Sequence, residues 1–284
     1  KKIKKLSKKL DYQNVELEEA RDLIGLIPFK KSLNIKTFNY FDKKIIFEKF
    51  KTSFLKTGKN HAATSSSYID YHKNNLILVS GNGIFSYSNL DNFNNKNFNF
   101  LIIKNNFNKF INYESFYQNS RFGIKDIHIK EGKLYVSFSN QLTDDCYNIS
   151  IVYADINFQF LNFKKFFIPT QCVKINNEYG EFNPHHSGGR IVNYKNNFLL
   201  SVGEYKYRDH AQNLENIFGK IILINKDTKN YSILASGRRN PQGLYYDKNN
   251  NIILSTDHGP QGGDEININL NPDNIENYGW PIAS

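Results

Sequence analysis

The chain has 284 residues, a formal net charge of +10 and an apolar stock rich in Phe (23) and Tyr (18), enough to bury a substantial core. Six of the positive charges are Lys1, Lys2, Lys4, Lys5, Lys8 and Lys9, so the rest is only mildly basic. No stretch joins clustered Arg with aromatic stacking residues, which argues against nucleic-acid binding, and no apolar run approaches the ~20 residues of a membrane span.

Met is absent, including at position 1, so the chain reads as processed or as part of something longer, and no signal-peptide core is visible. Residues 1–25 pass from the lysine run to Glu16, Glu18, Glu19, Arg21 and Asp22. They are predicted to form a basic N-terminal leader or helix, either solvated or laid on an acidic membrane surface. Residues 26–284 are predicted to form one domain. From Ile35 onward, short runs rich in Ile, Phe, Tyr and Val alternate with Asn, Lys, Asp and Gly, the pattern of strands and turns.

Four segments share one layout, an apolar strand, a Lys/Asn/Asp/Gly turn and a second strand ending near Ser. They lie at 71–80, 127–138, 191–202 and 244–255 and recur roughly every 55–62 residues. A hairpin repeat of this length without helices predicts an all-β chain built as a β-propeller, one blade per repeat. A solenoid needs a shorter coil, and a sandwich has no reason to repeat. The length holds about four to five blades where a closed ring commonly has six or more. The expectation is therefore an incomplete ring, truncated at the C-terminus, where residues 277–284 read as loop. Cys146 and Cys172 fall in no metal-binding pattern and are either free thiols or one disulfide.

Loops entering successive blades of a propeller converge on its channel, so distant residues can share a pocket. His186 precedes the third hairpin, Arg239 and Asn240 precede the fourth, and Gly259-Pro260 follows it. A neutral histidine can take a proton near pH 7, and an arginine can stabilise charge on an oxygen. An asparagine can orient a flat acceptor, and two successive backbone carbonyls in a constrained turn suit a hard cation such as calcium. Asp264 and Glu265 could hold the same loop or another ion. Each residue also has a plainer role, as a structural histidine, a surface charge or a solvated turn.

The ordered motifs His186-Ser187-Gly188-Gly189-Arg190, Gly203-Glu204, Gly219-Lys220-Ile221, Gly237-Arg238-Arg239-Asn240-Pro241-Gln242-Gly243, His258-Gly259-Pro260, Gly262-Gly263-Asp264-Glu265 and Asn277-Tyr278-Gly279-Trp280-Pro281 resemble those of the glucose/sorbosone dehydrogenase family. The resemblance is dense over about residues 125–284. It implies a six-bladed propeller in the complete protein and a PQQ- and calcium-dependent oxidation of an aldose or sugar aldehyde, with electrons passed to an external acceptor. By the same resemblance His186 is the base, with His185 beside it as a second candidate. Arg239 stabilises the quinone oxygen, Asn240 contacts the cofactor, and the carbonyls of Gly259 and Pro260 hold calcium. Family members of this kind are usually exported, which implies a periplasmic or secreted location and favours a Cys146–Cys172 bridge. The alternative is a non-catalytic propeller relative that binds a glycan or a protein partner.

Overall fold

Each sequence repeat folds as an antiparallel hairpin. Ser67–His72 pairs with Asn75–Ser80, Ile124–Lys130 with Lys133–Thr143, Gly188–Tyr194 with Asn197–Val202, and Pro241–Asp247 with Ile252–Asp257. The first three turns are two residues long and open on left-handed residues, Lys73, Glu131 and Lys195, at φ 52–53°. A positive φ there matches the right-handed twist of the flanking strands. The computed structural model describes residues 26–31, 36–51, 67–94, 97–112 and 122–283. The expected leader over 1–25 lies outside the described residues.

Further strands extend each hairpin outward. The first sheet adds Phe85–Asn89 and Asn97–Ile102, with Leu26–Lys31 and Phe50–Lys51 on its outer edge. The second adds Cys146–Asp155 and Lys164–Phe167. The third adds Lys220–Ile224 and Tyr231–Ser236, with Glu276–Asn277 parallel to the latter. The fourth adds only Glu265–Asn269. The leading strands of the four sheets pack side by side in chain order. This is the β-propeller the repeat predicts, with four blades among the described residues.

The core lies between blades. Ile77, Val79 and Phe85 of the first blade pack with Ile127, Val136 and Phe138 of the second. Tyr135, Ile149 and Phe166 of the second pack with Phe198, Leu200 and Ile222 of the third, and Tyr194 and Leu199 of the third with Leu244 and Ile253 of the fourth. A blade covered on both faces cannot alternate apolar and polar residues, which is why Phe198-Leu199-Leu200-Ser201-Val202 is buried without a break. Polar clips cross the seam between the second and third blades, among them one at Asp126. Asp126 of the second blade accepts the backbone N–H of Ile191 (2.8 Å) and pairs with Arg190 (2.7 Å) of the third. Burial pushes its carboxyl up to about 6, against the opposing pull of Arg190 and the Ile191 amide. The two cysteines are joined, closing a span of 26 residues in the second blade.

Candidate active site

The third hairpin brings its two ends together, and the chain on either side carries the pair at the centre of the site. Gly188 pairs with Val202, Gly203 N donates to Ser187 O (2.9 Å), and Tyr205 N donates to His186 O (2.9 Å). His186 and Glu204, 18 positions apart, therefore stand side by side, with Nδ1 and Oε1 2.8 Å from each other. Gly203 makes this possible, because a Cβ there would lie 2.2 Å from the His186 carbonyl oxygen. Glu204 is almost fully buried, and His186 nearly so. A carboxylate only accepts, so Nδ1 carries the hydrogen, and the lone pair of the neutral imidazole is the one on Nε2. His185 is half-buried, and the Asn183 side chain accepts its backbone N–H.

The loop before the fourth blade joins this pair. Arg239 O accepts the Glu204 N–H (3.0 Å), and Asn240 Oδ1 accepts the Gly188 N–H (3.2 Å). Asp257 fixes the loop by accepting the backbone N–H groups of both Arg239 and Asn240. Behind it the fully buried Arg238 pairs with Asp257 at 3.2 Å and lies over the Tyr278 ring at 4.4 Å. Burial raises the Asp257 carboxyl above the ordinary range, with Arg238 opposing. The Arg239 guanidinium reaches the other way. It sits 5.3 Å from the Trp280 ring centroid and donates to His258 O and Gly259 O, 2.7 Å each. Asp264 accepts the Gly259 N–H (3.1 Å) and faces His258 Nδ1 (3.2 Å), so it braces the loop. Glu265 accepts from Asn267.

A cavity of about 170 Å³ opens at this junction, lined by His186, Glu204, Arg239, Pro260 and Trp280, and by Lys206 and Arg208 from the loop after Glu204. The structure thus brings His186, Arg239 and Pro260 to one pocket, with Gly259 bonded to Arg239. Asn240 is buried beside it, tying two loops. Glu204, Lys206, Arg208 and Trp280 are added by the geometry. Glu204 could have been found as a lone carboxylate ending an apolar strand, and Trp280 by its place in the last motif. Lys206 and Arg208 left no signal in the sequence.

The carbonyls expected to hold calcium each accept one hydrogen bond in this geometry. Gly259 O already receives the positive guanidinium of Arg239, and Pro260 O accepts the Gly263 N–H (2.8 Å). A carbonyl oxygen has two lone pairs, so each keeps one for a further partner. Among the described residues no group of three or more His, Cys, Asp or Glu could hold a metal.

Residues 112–284 match the family model described as Glucose / Sorbosone dehydrogenase. The chain belongs to this family. Within it, the chain is 35% identical to the aldose sugar dehydrogenase YliI of Escherichia coli over 35% of its length and 30% of that protein's. The chain also superposes on the soluble aldose sugar dehydrogenase of E. coli in its apo form, with TM-score 0.59 and 20% identity over 77% of this chain and 62% of that one. The PQQ-bound aldose sugar dehydrogenase of Streptomyces coelicolor matches with TM-score 0.51 and 16% identity over 88% and 67%. These two likenesses establish the shared propeller fold. The chain spans under a third of the curated relative and less than two thirds of the E. coli structure.

Proposed function

We propose that this chain supplies the proton-abstracting part of a PQQ-dependent sugar dehydrogenase that oxidises an aldose or sugar aldehyde. The observation that carries the reading is the His186–Glu204 pair, set in one pocket with Arg239 and Trp280. Oxidation at an anomeric carbon removes a proton from oxygen and a hydride from carbon. His186 Nε2 takes the proton of the anomeric hydroxyl, and the buried Glu204 carboxylate stabilises the imidazolium that forms. When bound, PQQ supplies the acceptor for the hydride. The donor set fits that planar, multiply anionic group. Trp280 offers an aromatic face, Lys206, Arg208 and Arg239 offer positive charge, and Trp280 Nε1 is buried without a hydrogen-bond partner. Arg239 is the residue to stabilise charge on the quinone oxygen. Asn240 has its Oδ1 committed to Gly188, so any contact with the cofactor falls to its Nδ2.

The second lone pairs of the Gly259 and Pro260 carbonyls are what this chain offers a calcium ion, beside the Arg239 guanidinium that donates to Gly259 O. Electrons leave to an external acceptor. The Cys146–Cys172 bridge supports an oxidising compartment, periplasmic or extracellular, and no helix among the described residues is long and apolar enough to cross a membrane.

The test is dye reduction by the full-length protein with PQQ and a panel of aldoses. Turnover should depend on the quinone and fall about 10²–10⁴-fold in His186→Ala. Absence of quinone-dependent turnover with every sugar would leave the non-catalytic reading, a propeller that binds a glycan or protein.

A further inference from the structure

The loop that follows Glu204 puts two cations on the pocket wall, and the chemistry of the proton-abstracting pair does not call for them. Tyr205 and Lys206 take successive left-handed conformations, φ 56° and 70°, which neither residue adopts readily. The turn lets Tyr205 bury its side chain completely while Lys206 and, after one more residue, Arg208 reach the cavity. It is held from several sides. Tyr205 O accepts the Asn183 N–H (3.0 Å) and Tyr207 N donates to Glu204 O (2.8 Å). The ammonium of the fully buried Lys220 donates to the carbonyls of His210, Ala211 and Phe218 at 2.7–2.9 Å. The loop is thus pinned by main-chain bonds and by a buried cation, so the positions of Lys206 and Arg208 are built into the fold.

Their charge is only partly answered. Both cations face one carboxylate oxygen, Glu181 Oε2, at 3.6 Å each, beyond hydrogen-bonding distance, and that oxygen is buried without a hydrogen-bond partner. With Arg239, the cavity wall carries three cations against the one carboxylate of Glu204, whose Oε1 is already engaged by His186. Two more polar groups on the same wall lack partners, the acceptor Glu204 Oε2 and the donor Trp280 Nε1. An anion held by Lys206 and Arg208 would supply the missing charge, and a neighbouring hydroxyl would supply the hydrogen that Glu204 Oε2 lacks. Guanidinium beside ammonium is a donor set for a carboxylate.

We propose that Lys206 and Arg208 form a carboxylate-binding rim of the His186 pocket. The carboxylate has two possible sources, an acidic sugar such as a uronic acid or the quinone cofactor itself. The acidic-sugar source rests on the dehydrogenase reading above, whereas the rim does not.

The experiment compares the full-length wild type with Lys206→Gln/Arg208→Gln in two arms. One titrates PQQ by fluorescence quenching. The other titrates sodium glucuronate and glucose by calorimetry and reads the ratio of their affinities, with dye-reduction kcat and KM for both sugars measured alongside. A drop of tenfold or more in PQQ affinity assigns the rim to the cofactor. An equal drop in the glucuronate-to-glucose ratio, with PQQ affinity kept, assigns it to an acidic sugar. Both arms within twofold of wild type overturn the rim. Lys206→Arg, which keeps the charge, should retain most of the affinity; loss equal to that of the double glutamine variant would mean that the loop had been disrupted and that charge is not the cause, which also overturns the proposal. If the wild type reduces dye with no sugar, the dehydrogenase reading fails while the binding arms still decide the rim.

Discussion

The third and fourth blades come from the same repeat, yet they differ in how they are enclosed. In the third, Phe198, Leu199, Leu200 and Val202 have no exposed surface. In the outer strand of the fourth, Ile266 is 80% and Ile268 52% exposed. The third blade packs between the second and the fourth, whereas the fourth, among the described residues, packs its core against the third. A blade with a neighbour on each face therefore buries more apolar surface than one covered on a single face. The same division runs through the pocket. The enclosed blade supplies the buried His186–Glu204 pair, while the fourth supplies backbone carbonyls and the exposed Asp264 brace.

The contrast can be broken by paired substitutions. In urea unfolding of this 284-residue chain, Phe198→Ala should cost about 3–5 kcal/mol and Ile266→Ala less than about 0.5 kcal/mol; similar losses would remove the distinction. Opening the Cys146–Cys172 bridge with a double serine variant should cost about 3 kcal/mol, read from the same curves, because the closed span restrains the unfolded chain. In the pocket, Glu204→Gln should lower kcat about 100-fold, by analogy with other residues that orient a catalytic or metal-binding histidine. Asp264→Asn should change it less than about threefold, since that carboxylate is exposed. If the two variants lost activity equally, the buried pair would have no special role.

A pH-dependent effect concerns the seam at Asp126. Burial pushes its carboxyl up to about 6 from the ordinary 3.8, so over that interval the folded chain binds more protons than the unfolded one. Its contribution to stability therefore falls as pH rises from about 4 to about 6. Subtracting the stability of Asp126→Asn from that of wild type across this range should show the decline, and a flat difference would mean that Arg190 and the Ile191 amide fully compensate the buried charge.

The inner hairpins were legible because four apolar runs of strand length recur with turn residues between them. The outer edge of the first blade was not, since Leu26–Lys31 pairs with Asn97–Ile102, far along the chain, and no local pattern encodes that partner. That His186, Arg239 and Pro260 would line one pocket was legible because His186 and Arg239 precede hairpins and Pro260 follows one, and such loops converge in a propeller. Glu204 needed the hairpin to be folded before its place beside His186 had meaning. The hydrogen bond from Arg239 to the Gly259 carbonyl depends on where one long arginine side chain rests, and no motif records that.

Gly203 has a consequence for attempts to re-engineer this pocket. The space a β-carbon would need is filled by the peptide of His186, so a library randomised at 203 would be sieved by volume before any variant met a substrate. Position 186, where only the side chain changes, should yield many folded but inactive clones, while 203 should return glycine almost alone. The plasticity of the site would then be set by a residue that has no side chain to contribute.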